Sequence, residues 1–174
     1  MNSLLSTLLG WVGLAPPKIF CRRKVWDAGT RELARRTLGE RRESGAYLLG
    51  RKAWTGAYEI LDFVFYDDVD PEALATGIVT IRETALPRLW EICRARGYGV
   101  VADVHVHPGG YGQSTSDQAN PVMPRSGHIA FILPNFARGR PRPGAIGMYE
   151  FLGAGRWADH SKRGTAFFRV RWRP

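Results

Sequence analysis

A chain of 174 residues with 44% hydrophobic and 24% charged residues fits one globular domain with a buried core, and this balance excludes a disordered or fibrous protein. The formal charge of +9, from 25 basic and 16 acidic residues, favours acidic partners, but the basic residues come in short scattered groups (Arg22-Arg23-Lys24, Arg35-Arg36, Arg138 to Arg142) that read as a solvated surface; no specific nucleic-acid binding is expected, because no nucleic-acid motif accompanies them. Two cysteines, Cys21 and Cys93, with no Cys-x-x-Cys pair, exclude a disulfide scaffold and fit buried thiols in a reducing cytoplasm.

The segment from Met1 to Leu14 is almost entirely apolar or small. Leu4, Leu5, Leu8, Leu9, Trp11, Val12 and Leu14 suit one face of a short helix that docks on its own domain or on a partner. It is shorter than the roughly 20 residues of a membrane span and lacks the basic start of a secretory signal, so no membrane span is expected. Pro16-Pro17 ends it, dividing the chain into an apolar segment, 1–17, and a domain, 18–174. Residues 18–26 predict a strand. Asp27 and Thr30 then offer N-caps for a helix reaching about Arg42, with Leu33, Ala34 and Leu38 at helical spacing. Residues 45–54 and 58–66 read as a hairpin turning at Thr55-Gly56. After a loop from Asp67 to Pro71, a helix is expected from about Ile78 to Arg96, with Ile81, Ala85, Leu89 and Ile92 on one stripe, a kink at Pro87 and a stop at Gly97. Residues 98–107 form a valine-rich strand, Pro108 to Gln113 a glycine-rich loop, and Ser114 opens a short helix. Residues 128–134 predict a buried strand, Arg138 to Pro143 a basic, proline-rich loop, and 145–152 and 166–173 the last strands. Strands and helices mix without strict alternation, which predicts one α/β domain with a mixed sheet and helices on its faces.

The stretch that carries chemistry runs from Asp103 to Asp117. Side chains on a strand alternate faces, so His105 and His107 point the same way while Val104 and Val106 face the core. Two imidazoles at a strand end can grip one cation. Zinc takes about four ligands; Asp117, carried back over the strand end by the loop, can be the third, leaving the fourth place to water as catalytic sites do. Glu43, just before the strand holding Leu48-Leu49-Gly50, is the best-placed acid to act as base, and Ser114 is the hydroxyl to steady an oxyanion. Ser114 to Asp117 also fits a plain helix N-cap with an acid at its third position. Asp103 shares the histidines' face, either as a hydrogen-bond partner for an imidazole or in solvent, and His128 and His160 are structural or exposed.

His105-Val106-His107-Pro108 with Ser114-Thr115-Ser116-Asp117 resembles the JAMM motif of the JAB/MPN-domain metallopeptidases, and Glu43-Ser44-Gly45-Ala46-Tyr47-Leu48-Leu49-Gly50 resembles the family's upstream segment with its catalytic glutamate. The likeness covers about residues 30 to 137. It implies a mixed, curved sheet flanked by helices, zinc on His105, His107 and Asp117, Glu43 as general base and Ser114 as oxyanion partner. Two departures stand out. Six residues, Pro108 to Gln113, separate the second histidine from the serine where the family has seven, and Ala46 stands where glycine is common. A one-residue shift of register would offer Thr115 and Gln118, and Gln118 is a poor zinc ligand. The compact form is similar to bacterial members encoded with ubiquitin-like conjugation enzymes, often in antiviral defence. This implies a cytoplasmic isopeptidase that cleaves a ubiquitin-like protein from its targets or trims its precursor, in contact with conjugation-pathway enzymes. The alternative is a metal-free scaffold, as in family members that have lost a ligand or the glutamate.

Overall fold

A computed structural model describes residues 16–77 and 79–172. The apolar segment expected to form a docking helix lies almost wholly outside the described residues. Eight strands form one mixed sheet in the order β7-β6-β5-β4-β2-β3-β1-β8. They are β1 (Ile19–Arg22), β2 (Gly45–Lys52), β3 (Tyr58–Phe65), β4 (Gly99–Val106), β5 (Ile129–Leu133), β6 (Gly147–Gly153), β7 (Arg156–Asp159) and β8 (Phe168–Arg171). The pairs β1/β3, β1/β8 and β4/β5 are parallel and the rest antiparallel. This is the mixed α/β architecture expected from the sequence.

The two faces of the sheet bury different cores. On one face α1 (Arg23–Arg36) sets Trp26 and Leu33 against Leu48, Val104, Val106, Phe131 and Phe168. On the other, α3 (Leu86–Arg96) sets Leu89 and Cys93 against Tyr47, Leu49, Val64 and Tyr66. The alternation of β2 and β4 feeds both: Tyr47 and Leu49 turn one way, Ala46 and Leu48 the other. Both cysteines are free and buried; burial pushes the Cys21 thiol up to about 12.

Several local expectations are corrected. Residues 18–26 do not stay extended: the helix starts at Arg23 without a side-chain cap. Thr30 is not a cap but a buried helix residue whose hydroxyl donates to the Trp26 carbonyl at 2.9 Å, and Asp27 pairs with Arg23 one turn back at 3.2 Å. The helix also ends at Arg36, well short of Arg42, because Leu38, Gly39 and Glu40 all take left-handed backbone. Arg36 is drawn instead to Asp67 and Asp68 in a short helix, α2 (Tyr66–Val69), where a loop was expected. The second long helix begins at Leu86, not near Ile78. Pro87 sits in its first turn, where its missing N–H costs nothing, and so does not kink it. Gly97 ends the helix as expected, at φ 68°. The short strand β7 was not foreseen. Among the described residues no helix is long and apolar enough to cross a membrane.

Candidate metal centre

The register between β2 and β4 builds the site. Gly45 lies opposite His105. A Cβ on Gly45 would meet the Tyr66 ring at 2.2 Å and the Val104 carbonyl at 2.8 Å, so only glycine lets the two strands close here. Ser44, fully buried, donates its hydroxyl to the Leu33 carbonyl of α1 at 2.7 Å, and its own carbonyl accepts the Val106 N–H at 2.9 Å. Glu43 is thereby delivered to the end of β4. Its N–H donates to the Gly77 carbonyl at 2.9 Å, and it lines a cavity with Val79. Ala46 faces the α1 core and is fully buried away from the site.

His107 lies one residue past β4. Its N–H donates to the Leu133 carbonyl at 2.9 Å and its carbonyl accepts the Phe136 N–H at 2.8 Å, so both sides of its backbone are tied to the end of β5. The glycine-rich loop then lies down on neighbouring strands. Asn135 N–H donates to Gly109, the Tyr149 hydroxyl donates to the Tyr111 carbonyl at 3.0 Å, and Gly147 leaves room for that carbonyl. The loop delivers α4 (Thr115–Ala119), capped by Ser114. The Ser114 hydroxyl accepts the Asp117 N–H at 3.1 Å, and the Asp117 carboxylate accepts the Ser114 N–H at 2.7 Å. The capping box is real, and it aims Asp117 at the histidines.

The three predicted ligands converge. The Nε2 atoms of His105 and His107 are 3.0 Å apart; Asp117 Oδ1 is 3.4 Å from His105 Nε2 and Oδ2 is 3.3 Å from His107 Nε2. Ligands at about 2.0–2.2 Å from a tetrahedral ion lie roughly 3.3–3.6 Å from one another. The two His–Asp spacings, each to its own carboxylate oxygen, fall in that range and the imidazoles stand closer, and the donor set of two imidazoles and one carboxylate suits a borderline-soft divalent cation. Gln118, the other register, is exposed and lines a different cleft with Tyr149 and Trp157, and its main-chain carbonyl accepts the Trp157 indole N–H at 3.2 Å.

The electrostatics agree with a cation site. Burial disfavours charge on Asp117, but hydrogen bonds from His105 and His107 outweigh it and hold the carboxyl far below the usual range. Burial likewise works against a charged His105, yet Asp117, with Asp103 and Glu43 adding, raises its pKa. Both shifts favour positive charge at the centre of the cluster. Burial raises the Glu43 carboxyl, with the Asp117 charge adding, against the opposing pull of His105 and His107. Glu43, His105, Ser114 and Asp117 line one cavity, walled by Val79, Pro121, Val122 and Trp157.

Asp103 is buried, not solvated, and the imidazole it holds is not a candidate ligand. His128, also buried, meets Asp103 Oδ1 at 2.6 Å, and the Tyr66 hydroxyl donates to Oδ2 at 3.0 Å. His160 pairs with Glu150 at 3.1 Å and stacks on Phe167. The contributions of Ser44 and Gly77 went unread in the sequence, because each acts through buried or main-chain hydrogen bonds that no motif marks.

The fold and the cluster together define an α/β domain with a candidate metal centre at the end of a central strand. No family model matches the chain. A probable metalloprotease of Sinorhizobium fredii (strain NBRC 101917 / NGR234) is 32% identical over 94 residues, 51% of this chain and 58% of that protein. This chain therefore spans 58% of that relative's length. Among solved structures, a protein from Desulfitobacterium hafniense shares the fold with a TM-score of 0.61 at 14% identity, covering 89% of this chain and 94% of its own. A protein from Salinibacter ruber (strain DSM 13855) does so with a TM-score of 0.51 at 14% identity, covering 80% and 87%. Likeness at such low identity shows the fold alone.

Elemental analysis of purified protein is expected to find about one divalent metal ion per chain, since the cluster has ligands for a single ion. His105→Ala and Asp117→Ala should each lose the metal, and Gln118→Ala should keep it. Retention of full metal by both ligand variants would place the ion elsewhere.

Proposed function

We propose that this chain is a zinc-dependent JAMM-type peptidase that cleaves a ubiquitin-like protein from its targets or trims its precursor, in a bacterial pathway of the antiviral-defence kind. The observation that carries the reading is one cavity lined by Glu43, Ser114, His105 and Asp117, the last two joined by His107 in a three-ligand cluster. The metalloprotease relative supports the peptidase part.

Zinc, when bound, supplies Lewis acidity, lowering the pKa of a water toward about 7 and polarising a carbonyl. The chain's own residues do the rest. Glu43 accepts the proton of the attacking water and returns it to the leaving amine; its raised pKa suits both halves of that task. The Ser114 Oγ already accepts the Asp117 N–H, so its own hydrogen is free to donate to the oxyanion that forms at the scissile carbonyl. Val79, Pro121, Val122 and Trp157 narrow the approach, which favours a tail ending in glycine, since glycine lets a substrate backbone come close.

Glu43→Gln is expected to keep the metal and the fold but to lose at least ~100-fold in cleavage of a ubiquitin-like protein fused through its terminal glycine. Near-normal turnover in that variant would mean that another group is the base.

The charge of +9 favours an acidic or mixed face on the partner. The basic loop is more ordered than its composition suggests. The buried Trp26 donates its indole N–H to the Pro141 carbonyl at 2.7 Å, between Arg140 and Arg142, and Arg138 is engaged by Glu40 at 2.9 Å. Arg140 and Arg142, both exposed, are therefore the docking candidates. Cleavage efficiency should fall several-fold from low to high salt, and the Arg140→Ala/Arg142→Ala variant should flatten that dependence. Equal efficiency at all salts in both proteins would remove electrostatic docking and leave the cleavage chemistry standing.

A further inference from the structure

Glu43 approaches the site from the start of β2, but its polar contacts come from a different segment. The Gly77 carbonyl takes its N–H at 2.9 Å, and Val79 lines the same cavity. What fixes the Gly77 carbonyl in place is thus also what fixes Glu43.

The segment carrying Gly77 is closed at its base by one ion pair. The Asp70 side chain is fully buried (0% exposed) and accepts the backbone N–H groups of Glu72 and Arg82, both at 3.1 Å. It is also gripped by the Arg82 guanidinium, through Nε at 2.9 Å and through a further contact from Nη2. A bidentate guanidinium fork on a buried carboxylate is a strong, geometrically specific pair. These hydrogen bonds pull the Asp70 carboxyl down to about 2, so it is ionised throughout the working range. Inside the closure, Ala73 N–H donates to the Asp70 carbonyl and Thr80 N–H to the Ala73 carbonyl, each at 2.9 Å. Val79 and Ile81 pack on the core that holds Leu74 and Leu89. Arg82 itself is half exposed, with 53% of its side chain accessible, so its charge is committed to Asp70 while its stem leaves the core undisturbed.

We propose that Asp70 and Arg82 form a clamp that positions Glu43, by fixing the segment that carries Gly77 so that its carbonyl holds the glutamate's backbone beside the metal cluster. The role in catalysis rests on Glu43 being the base; the positioning does not. A carboxylate displaced by about 1 Å loses much of its effect on rate even when the metal and substrate still bind.

The test compares the full chain with Arg82→Gln and Arg82→Lys. The substitution is at a half-exposed position, so folding should survive, and thermal unfolding verifies this. Arg82→Gln should keep about one metal per chain. Its Glu43 amide, which Gly77 holds, should exchange hydrogen about ten-fold faster or more, with amides in β4 unchanged. On a ubiquitin-like fusion, kcat should drop about ten-fold with KM unchanged, Arg82→Lys should recover part of it, and the loss should vanish when Glu43 is already Gln. Unchanged Glu43 amide exchange in Arg82→Gln would overturn the clamp. So would a kcat loss of equal size in the Glu43→Gln background, which would show that Arg82 acts elsewhere. If the wild type cleaves none of the fusions while Glu43 amide exchange rises as expected, the peptidase reading fails and the clamp stands.

Discussion

The ring nitrogens of His105 and His107 face one another at 3.0 Å with the Asp117 oxygens 3.3 and 3.4 Å away, an arrangement that positive charge among them stabilises. Much of the fold near the site builds that arrangement. The parallel β4/β5 pair anchors the His107 backbone, the β2/β4 register brings Gly45 against His105, and the capping box turns the Asp117 carboxylate inward. The raised His105 and the depressed Asp117 carboxyl point the same way. A divalent cation held by all three side chains would supply that charge.

Ser114 holds the shape of the cluster. Its N–H and hydroxyl oxygen fix Asp117 through the cap, and it lines the cavity. Beneath lies a buried polar layer, with His128 and Tyr66 sharing the Asp103 carboxylate. It satisfies a charge that the strand's alternation would otherwise strand in the core. Tyr47, stacked edge-on against Tyr66, leaves its hydroxyl without a partner among the described residues. Nothing in the structure explains that hydroxyl.

The site was more legible than the path of the chain around it. His105 and His107 sit two apart on a strongly β-forming run, so period-two alternation alone puts them together, and Asp117 follows within a loop too short to wander. The family resemblance then singled out Glu43 from a segment 62 residues upstream of His105, a distance at which local pattern says nothing. The hairpin of β2 and β3 was equally plain from its valines, aromatics and Thr55-Gly56 turn. The helix from Arg23 was not: it starts without a side-chain cap, straight from four extended residues, and its apolar face of Trp26, Gly29, Thr30 and Leu33 includes a glycine and a threonine. The stretch before Pro87 misled because Ile81 and Ala85 do pack on the same core as Leu89 and Ile92, but from extended and 3₁₀ backbone. Asp70 read as an ordinary turn acid, since its partner Arg82 is twelve residues on and outside any helical spacing.

X-ray absorption at the zinc edge, on protein purified without added chelator, tests the central claim most directly. The account predicts zinc with a first shell of nitrogen and oxygen only, at about 2.0–2.1 Å, with the outer-shell scattering of two imidazoles, and no bound zinc in His107→Ala. A sulfur shell at about 2.3 Å would contradict it, since Cys21 and Cys93 lie in the core away from the cluster; so would a spectrum with no imidazole scattering at all.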